Sequence, residues 1–194
     1  RLPEIITRAF SVAMQPTPGP VVISLPEDLL DLTVPAGAPM RAASLPLTAP
    51  AEQTARDVLE MIGSCERPLI IAGGEFPTDE ERSSLRTFAE RFQIPVVVGF
   101  RRLGVFPADH PLYAGDLGVS TTKEEVAAFD RADLILALGT RLNEWTTLDF
   151  SFPAAPWPRQ KLIHVHGDGT TIGKNIQPTL GLACRAPDFG APML

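Results

Sequence analysis

The chain has 194 residues, 44% of them hydrophobic and 21% charged, with a formal net charge of −6. That length and composition suit one α/β domain with a sizeable core, while the acidic balance argues against a nucleic-acid or anionic-membrane surface. No apolar run approaches the roughly 18 residues a membrane helix needs; Cys65 and Cys184 are too few and too far apart for a disulfide framework or a zinc cluster. No signal peptide is recognisable, and an intracellular, cytoplasmic protein is the natural reading. Opening on Arg1 rather than Met, the sequence reads as a piece of something longer.

Leu2 to Met14 has helical spacing, with Leu2, Ile5, Ile6, Ala9, Phe10 and Ala13 on one face. Gln15-Pro-Thr-Pro-Gly-Pro20 is a break. Val21 to Leu25 reads as a short β-branched strand, and the proline-rich stretch that follows reads as an extended linker over residues 27–50. From Ala51, helices and strands alternate. Ala51–Ser64 carries an apolar stripe. Thr78-Asp-Glu-Glu81 and Thr122-Lys-Glu-Glu125 are capping boxes that open helices with Leu85, Phe88, Ala89 and Phe92, and then Val126 and Phe129, turned inward. Strands are expected at 68–72, 95–98, 133–138 and 161–166. Their core is expected to include Leu69, Ile71, Val96, Val98, Ile135, Ala137, Ile163 and Val165. Thr170 to Asn175 reads as a short helix or turn, and the stretch after Lys174 shows no strong pattern.

The four strands are continuous apolar runs, as in strands buried on both faces. Each ends in glycine: Gly73-Gly74, Gly99, Gly139 and Gly167. This describes an α/β fold, a doubly wound, Rossmann-like parallel sheet flanked by helices, with a ligand crevice at its carboxyl edge. Gly73, Gly74, Gly139, Thr140 and Arg141 are the candidate cofactor-binding residues. The glycines either let backbone approach a phosphate or ribose or simply turn the chain from strand to helix, and Arg141 offers either a guanidinium fork or a surface salt bridge. The G-x-G-x-x-G fingerprint does not occur. Arg101-Arg102 reads as a solvated loop. His164-Val-His166 puts two imidazoles on one side of a strand, a packed pair rather than a metal site. Both cysteines read as inert. No catalytic constellation and no metal site is identified.

Several stretches together resemble the central domain of thiamine diphosphate-dependent enzymes, the group of acetolactate synthase and benzoylformate decarboxylase. They are Thr17-Pro-Gly-Pro-Val-Val-Ile-Ser-Leu-Pro26, Arg67-Pro-Leu-Ile-Ile-Ala-Gly-Gly74, Ile94-Pro-Val-Val with Gly104-Val-Phe-Pro-Ala-Asp-His-Pro-Leu112, Ala132-Asp-Leu-Ile-Leu-Ala-Leu-Gly-Thr-Arg141, and Ile163-His-Val-His-Gly-Asp-Gly-Thr-Thr-Ile-Gly-Lys-Asn175. The resemblance covers nearly the whole chain.

It implies a fold like that of deoxyhypusine synthase and related NAD/FAD-binding domains. It divides the chain into 1–26, the tail of a preceding pyrimidine-binding domain; 27–50, a linker; and 51–194, the central domain. It also implies a parent enzyme acting on 2-keto acids with thiamine diphosphate and Mg²⁺. Both would be held by N- and C-terminal domains outside this chain, in a homo-oligomer without nucleic-acid or membrane partners. Gly167-Asp-Gly169 looks like the family's metal motif but lacks the Asn pair that completes it. FAD or ADP occurs in some central domains. Here Thr17, Asn143, His166 and Arg185 replace polar residues of the flavin-type pattern, so an empty crevice or another nucleotide is expected rather than FAD. A stand-alone nucleotide-binding module is the alternative reading. A sirtuin-like deacylase fits poorly, with two cysteines where a zinc module commonly needs four.

Overall fold

A computed structural model describes residues 1–15, 17–35, 37 and 48–194. The chain divides into two compact units, Arg1–Pro46 and Leu47–Leu194. In the first unit, α1 spans Leu2–Ala13 and buries none of its residues. Glu27–Leu29 forms a single 3₁₀ turn. Val21–Leu25, expected as a strand, makes no ladder pairing among the described residues. A β-branched segment becomes a strand only when a neighbour takes its backbone groups. The expected linker over 27–50 lies partly outside the described residues, at 36 and 38–47.

The second unit is a six-stranded sheet in the order β3-β2-β1-β4-β5-β6, parallel throughout. The strands are β1 (Pro68–Ala72), β2 (Val96–Val98), β3 (Tyr113–Asp116), β4 (Leu134–Leu138), β5 (Lys161–Val165) and β6 (Leu180–Leu182). The four expected strands are therefore present in one sheet, and the eight expected core residues are all buried. Alternate side chains face opposite ways. Ile70, Val96, Leu136 and Ile163 pack with α2 (Glu52–Gly63), α3 (Asp79–Phe92) and α5 (Ala186–Phe189). Leu69, Ile71, Ile135, Ala137 and Leu162 pack with Phe129 of α4 (Lys123–Phe129) and with Leu142, Phe152 and Ile176 from irregular segments. Helices thus cover both faces, although the second has one helix and a long loop.

Both capping boxes form. The Thr78 hydroxyl accepts the Glu81 N–H at 3.2 Å, and the Glu81 carboxylate accepts the Thr78 N–H at 3.0 Å. The Thr122–Glu125 pair repeats this at 3.2 and 2.7 Å. Strands β3 and β6 and helix α5 escaped the reading of the sequence. Their segments, Tyr-Ala-Gly-Asp, Leu-Gly-Leu and Ala-Pro-Asp-Phe, are too short and mixed to show a period. The two strands form because each adds to an edge that already exists.

Candidate functional site at the carboxyl edge

The chain winds outward from β1 through β2 to β3, then crosses back to start β4 on the other side of β1. The reversal falls between β1 and β4, where a doubly wound sheet opens its crevice. Gly73-Gly74 and Gly139-Thr140-Arg141 leave the sheet at that point, so the five candidate residues come from the two strands flanking the switch.

Their contacts are mostly with one another. The Gly73 N–H donates to Leu138 O at 2.8 Å, and the Gly74 N–H to Gly139 O at 2.9 Å. A Cβ on Gly73 would fall 2.0 Å from the Gly139 carbonyl oxygen and 2.5 Å from Thr140 Cα. These glycines let two backbones meet. Gly74 is exposed, and the Arg102 guanidinium lies across it, 2.7 Å from where a Cβ would be. Thr140 is buried, and Arg141 is exposed with no hydrogen bond or ion pair among the described residues. Arg101 sits over the Phe100 ring at 5.2 Å.

Glu75, which the sequence reading passed over, occupies the crevice. Its side chain is 10% exposed. Oε1 accepts the Gly167 N–H at 2.9 Å and Oε2 accepts the Ala186 N–H at 3.0 Å. Gly139, at φ +65°, passes so close that a Cβ there would meet Glu75 Cβ at 2.7 Å. The Glu75 carboxylate thus joins the end of β1 to the end of β5 and the start of α5, while its Cβ packs against the turn after β4. The available signal was a carboxylate directly after a strand-end Gly-Gly.

The two histidines are packed, with ring centroids 6.4 Å apart. His164 Nε2 lies 2.9 Å from the Thr140 carbonyl, so it carries the proton, and Nδ1 is buried without a partner. Burial pushes the His164 pKa down, and its ring is neutral. His166 Nδ1 accepts the Asp168 N–H at 3.0 Å. That bond uses its lone pair, so the 3.4 Å approach to Glu75 is a contact rather than a salt bridge. The Asp168 carboxylate accepts the Thr170 hydroxyl at 2.7 Å and the Thr170 N–H at 2.9 Å, which hold its pKa below the usual range. It caps a 3₁₀ turn at Gly169–Thr171. Among the described residues, no group of three or more His, Cys, Asp or Glu converges to hold a metal ion. Burial raises the thiol pKa of Cys65 and pushes that of Cys184 up to about 11, so neither is a ready nucleophile.

A second feature lies further along the same edge. Phe100 and Trp145 stack with centroids 5.2 Å apart and planes at 18°. Beside them is an open cavity of about 340 Å³ lined by Gly118, Val119, Glu144, Trp145, Leu148 and Asp149. Its wall includes part of a run of three left-handed residues, Leu148, Asp149 and Phe150, at φ 51°, 58° and 60°. The buried Thr147 hydroxyl secures the run: it donates to Asn143 O and accepts the Phe150 N–H.

The motifs quoted from the sequence bind the fold to itself. Asp133 accepts the Glu66 and Arg67 N–H groups at 2.8 and 2.9 Å, tying β1 to β4 at their amino ends. His110 accepts the Leu112 N–H and meets Glu90 of α3 at 3.0 Å. Asn175 donates to the Leu142 carbonyl at 3.1 Å.

The fold and its switch-point crevice define a Rossmann-like α/β domain. Residues 55–190 match the family model for the thiamine pyrophosphate enzyme, central domain. The chain belongs to that family. It is 35% identical over 187 residues to acetolactate synthase 1, chloroplastic, of Zea mays, covering 93% of this chain and 28% of that relative. It is 32% identical over 197 residues to the acetolactate synthase large subunit of Corynebacterium glutamicum, covering 100% of this chain and 31% of that one. Among solved structures, benzoylformate decarboxylase from Polynucleobacter necessarius matches with a TM-score of 0.77 at 25% identity, over 97% of this chain and 35% of its own. A putative thiamin diphosphate-dependent enzyme from Mycobacterium smegmatis matches with a TM-score of 0.72 at 26% identity, over 96% and 35%. The chain therefore spans about a third of the length of these proteins. No helix among the described residues is long and apolar enough to cross a membrane.

Proposed function

We propose that the chain is the structural middle domain of a thiamine diphosphate-dependent enzyme acting on a 2-keto acid, of the acetolactate synthase or decarboxylase kind. In this reading residues 1–26 end a preceding domain, 27–50 link, and 51–194 form the middle domain of a cytoplasmic homo-oligomer. The catalytic cofactor, thiamine diphosphate with Mg²⁺, is held by the parent's other domains.

The single observation that carries the reading is the family match over the six-stranded unit. How the residues are used supports it. The only Gly-Asp-Gly aspartate, Asp168, spends its carboxylate on Thr170. The cofactor supplies carbanion stabilisation where it is bound, in the parent's other domains. The part of this chain's residues is to hold a rigid sheet. The reading of a free-standing nucleotide-binding module finds no support in the crevice, where the Glu75 carboxylate already takes two donors.

Calorimetric titration of the chain with thiamine diphosphate and Mg²⁺ tests the proposal. The expected result is no binding, with Asp168→Ala unchanged. Micromolar binding that disappears in Asp168→Ala overturns it.

A further inference from the structure

We propose that Glu75 is a built-in occupant of the switch-point crevice, a carboxylate of the chain itself that closes the crevice to nucleotides.

The crevice lies between the carboxyl ends of β1 and β4, where this fold class receives phosphates and riboses through backbone N–H groups. Two such groups lie beside it along the same edge, Gly167 after β5 and Ala186 at the start of α5, and both are spent on Glu75, whose side chain reaches past Gly139 to meet them. A ligand phosphate seeking the same donors has to displace a carboxylate that is 10% exposed and bonded through both oxygens. If the carboxylate stays, the phosphate is placed beside a like charge in a partly buried site, which disfavours both. Space is closed as well as charge. Gly139 packs on Glu75 Cβ, and Gly73 packs on Gly139, so no gap is left between the two glycine turns. The nucleotides implied by the fold, FAD and ADP, therefore do not fit the residues present. This inference does not depend on the parent's reaction, and its failure leaves the proposed role of the domain intact.

The test is titration of ADP and of FAD into the whole chain. Wild type is expected to bind neither at millimolar concentration. Glu75→Ala, shown to be folded by its thermal transition, frees both donors and is expected to bind ADP at least about tenfold tighter. Glu75→Gln keeps the shape and one acceptor and is expected to gain less. Stoichiometric ADP or FAD in the wild-type chain overturns the proposal, as does a folded Glu75→Ala that binds ADP no better than wild type. Amide hydrogen exchange on the wild type gives a second reading that needs no variant. The Gly167 and Ala186 amides are expected to exchange roughly a hundredfold slower than open-loop amides. Unprotected exchange at both overturns the proposal equally.

Discussion

The backbones of Gly73 and Gly139 touch: a Cβ placed on Gly73 would lie 2.0 Å from the Gly139 carbonyl oxygen. The obstacle is backbone within a hydrogen-bonded ladder, so it cannot swing aside. Gly73→Ala is expected to destabilise by about 3 kcal/mol, the upper end of overpacking costs. Urea unfolding measures it. A loss below about 0.5 kcal/mol would show that the two turns are further apart.

His164 makes the fold sensitive to acid. Burial lowers its pKa from the ordinary 6.5. As pH falls below 6.5 the unfolded chain takes up a proton that the folded chain resists. Its contribution is whole above that value and is lost as pH drops toward the lower folded pKa. Melting temperatures between pH 7 and pH 5 should therefore fall, and fall less in His164→Gln, which keeps a donor for the Thr140 carbonyl. Parallel profiles for the two proteins would contradict the assignment.

The two capping boxes should differ in cost. Glu81 caps α3 and also meets the Arg185 guanidinium ahead of α5, whereas Glu125 serves α4 alone. Thr78→Ala should cost about 1 kcal/mol, as is usual for a lost N-cap. Glu81→Ala should cost more than Glu125→Ala, because it also releases Arg185. Equal losses in chemical denaturation would mean that the Arg185 contact is without consequence.

The left-handed turn beside the aromatic cavity stores strain. Asp149, exposed at φ 58°, is one of three successive residues in a region that costs L-residues roughly 1–2 kcal/mol each. Asp149→Gly should be stabilising by up to about 1 kcal/mol, whereas Asp149→Val, β-branched in the same place, should be destabilising by more than that. Thermal melts of the pair provide the check. The opposite order would remove the strain argument.

Strands β1, β2, β4 and β5 were legible because a strand buried on both faces must be apolar throughout, and such runs stand out without any partner. Helices α3 and α4 were legible from local chemistry, since a capping box needs only residues three apart. The family resemblance was legible for the same reason, in short motifs of fixed spacing. Strands β3 and β6 were not. Tyr113–Asp116 and Leu180–Leu182 lie at the sheet's edges, where an existing ladder recruits them whatever their composition.

The candidate site shows the same division. The sequence by itself determined that glycine turns end the core strands and that the strands make one doubly wound sheet. Hydrophobic period and turn chemistry are properties of neighbouring residues. The sequence placed Gly73 and Gly139 at one edge of the sheet; only the tertiary structure decided that their backbones would touch, and that the Glu75 carboxylate would reach Gly167 and Ala186, 92 and 111 positions along the chain. A glycine after a strand permits close approach without saying to what. A carboxylate's partner is set by which backbone N–H groups the strand order carries to it, and that order is a property of the assembled sheet.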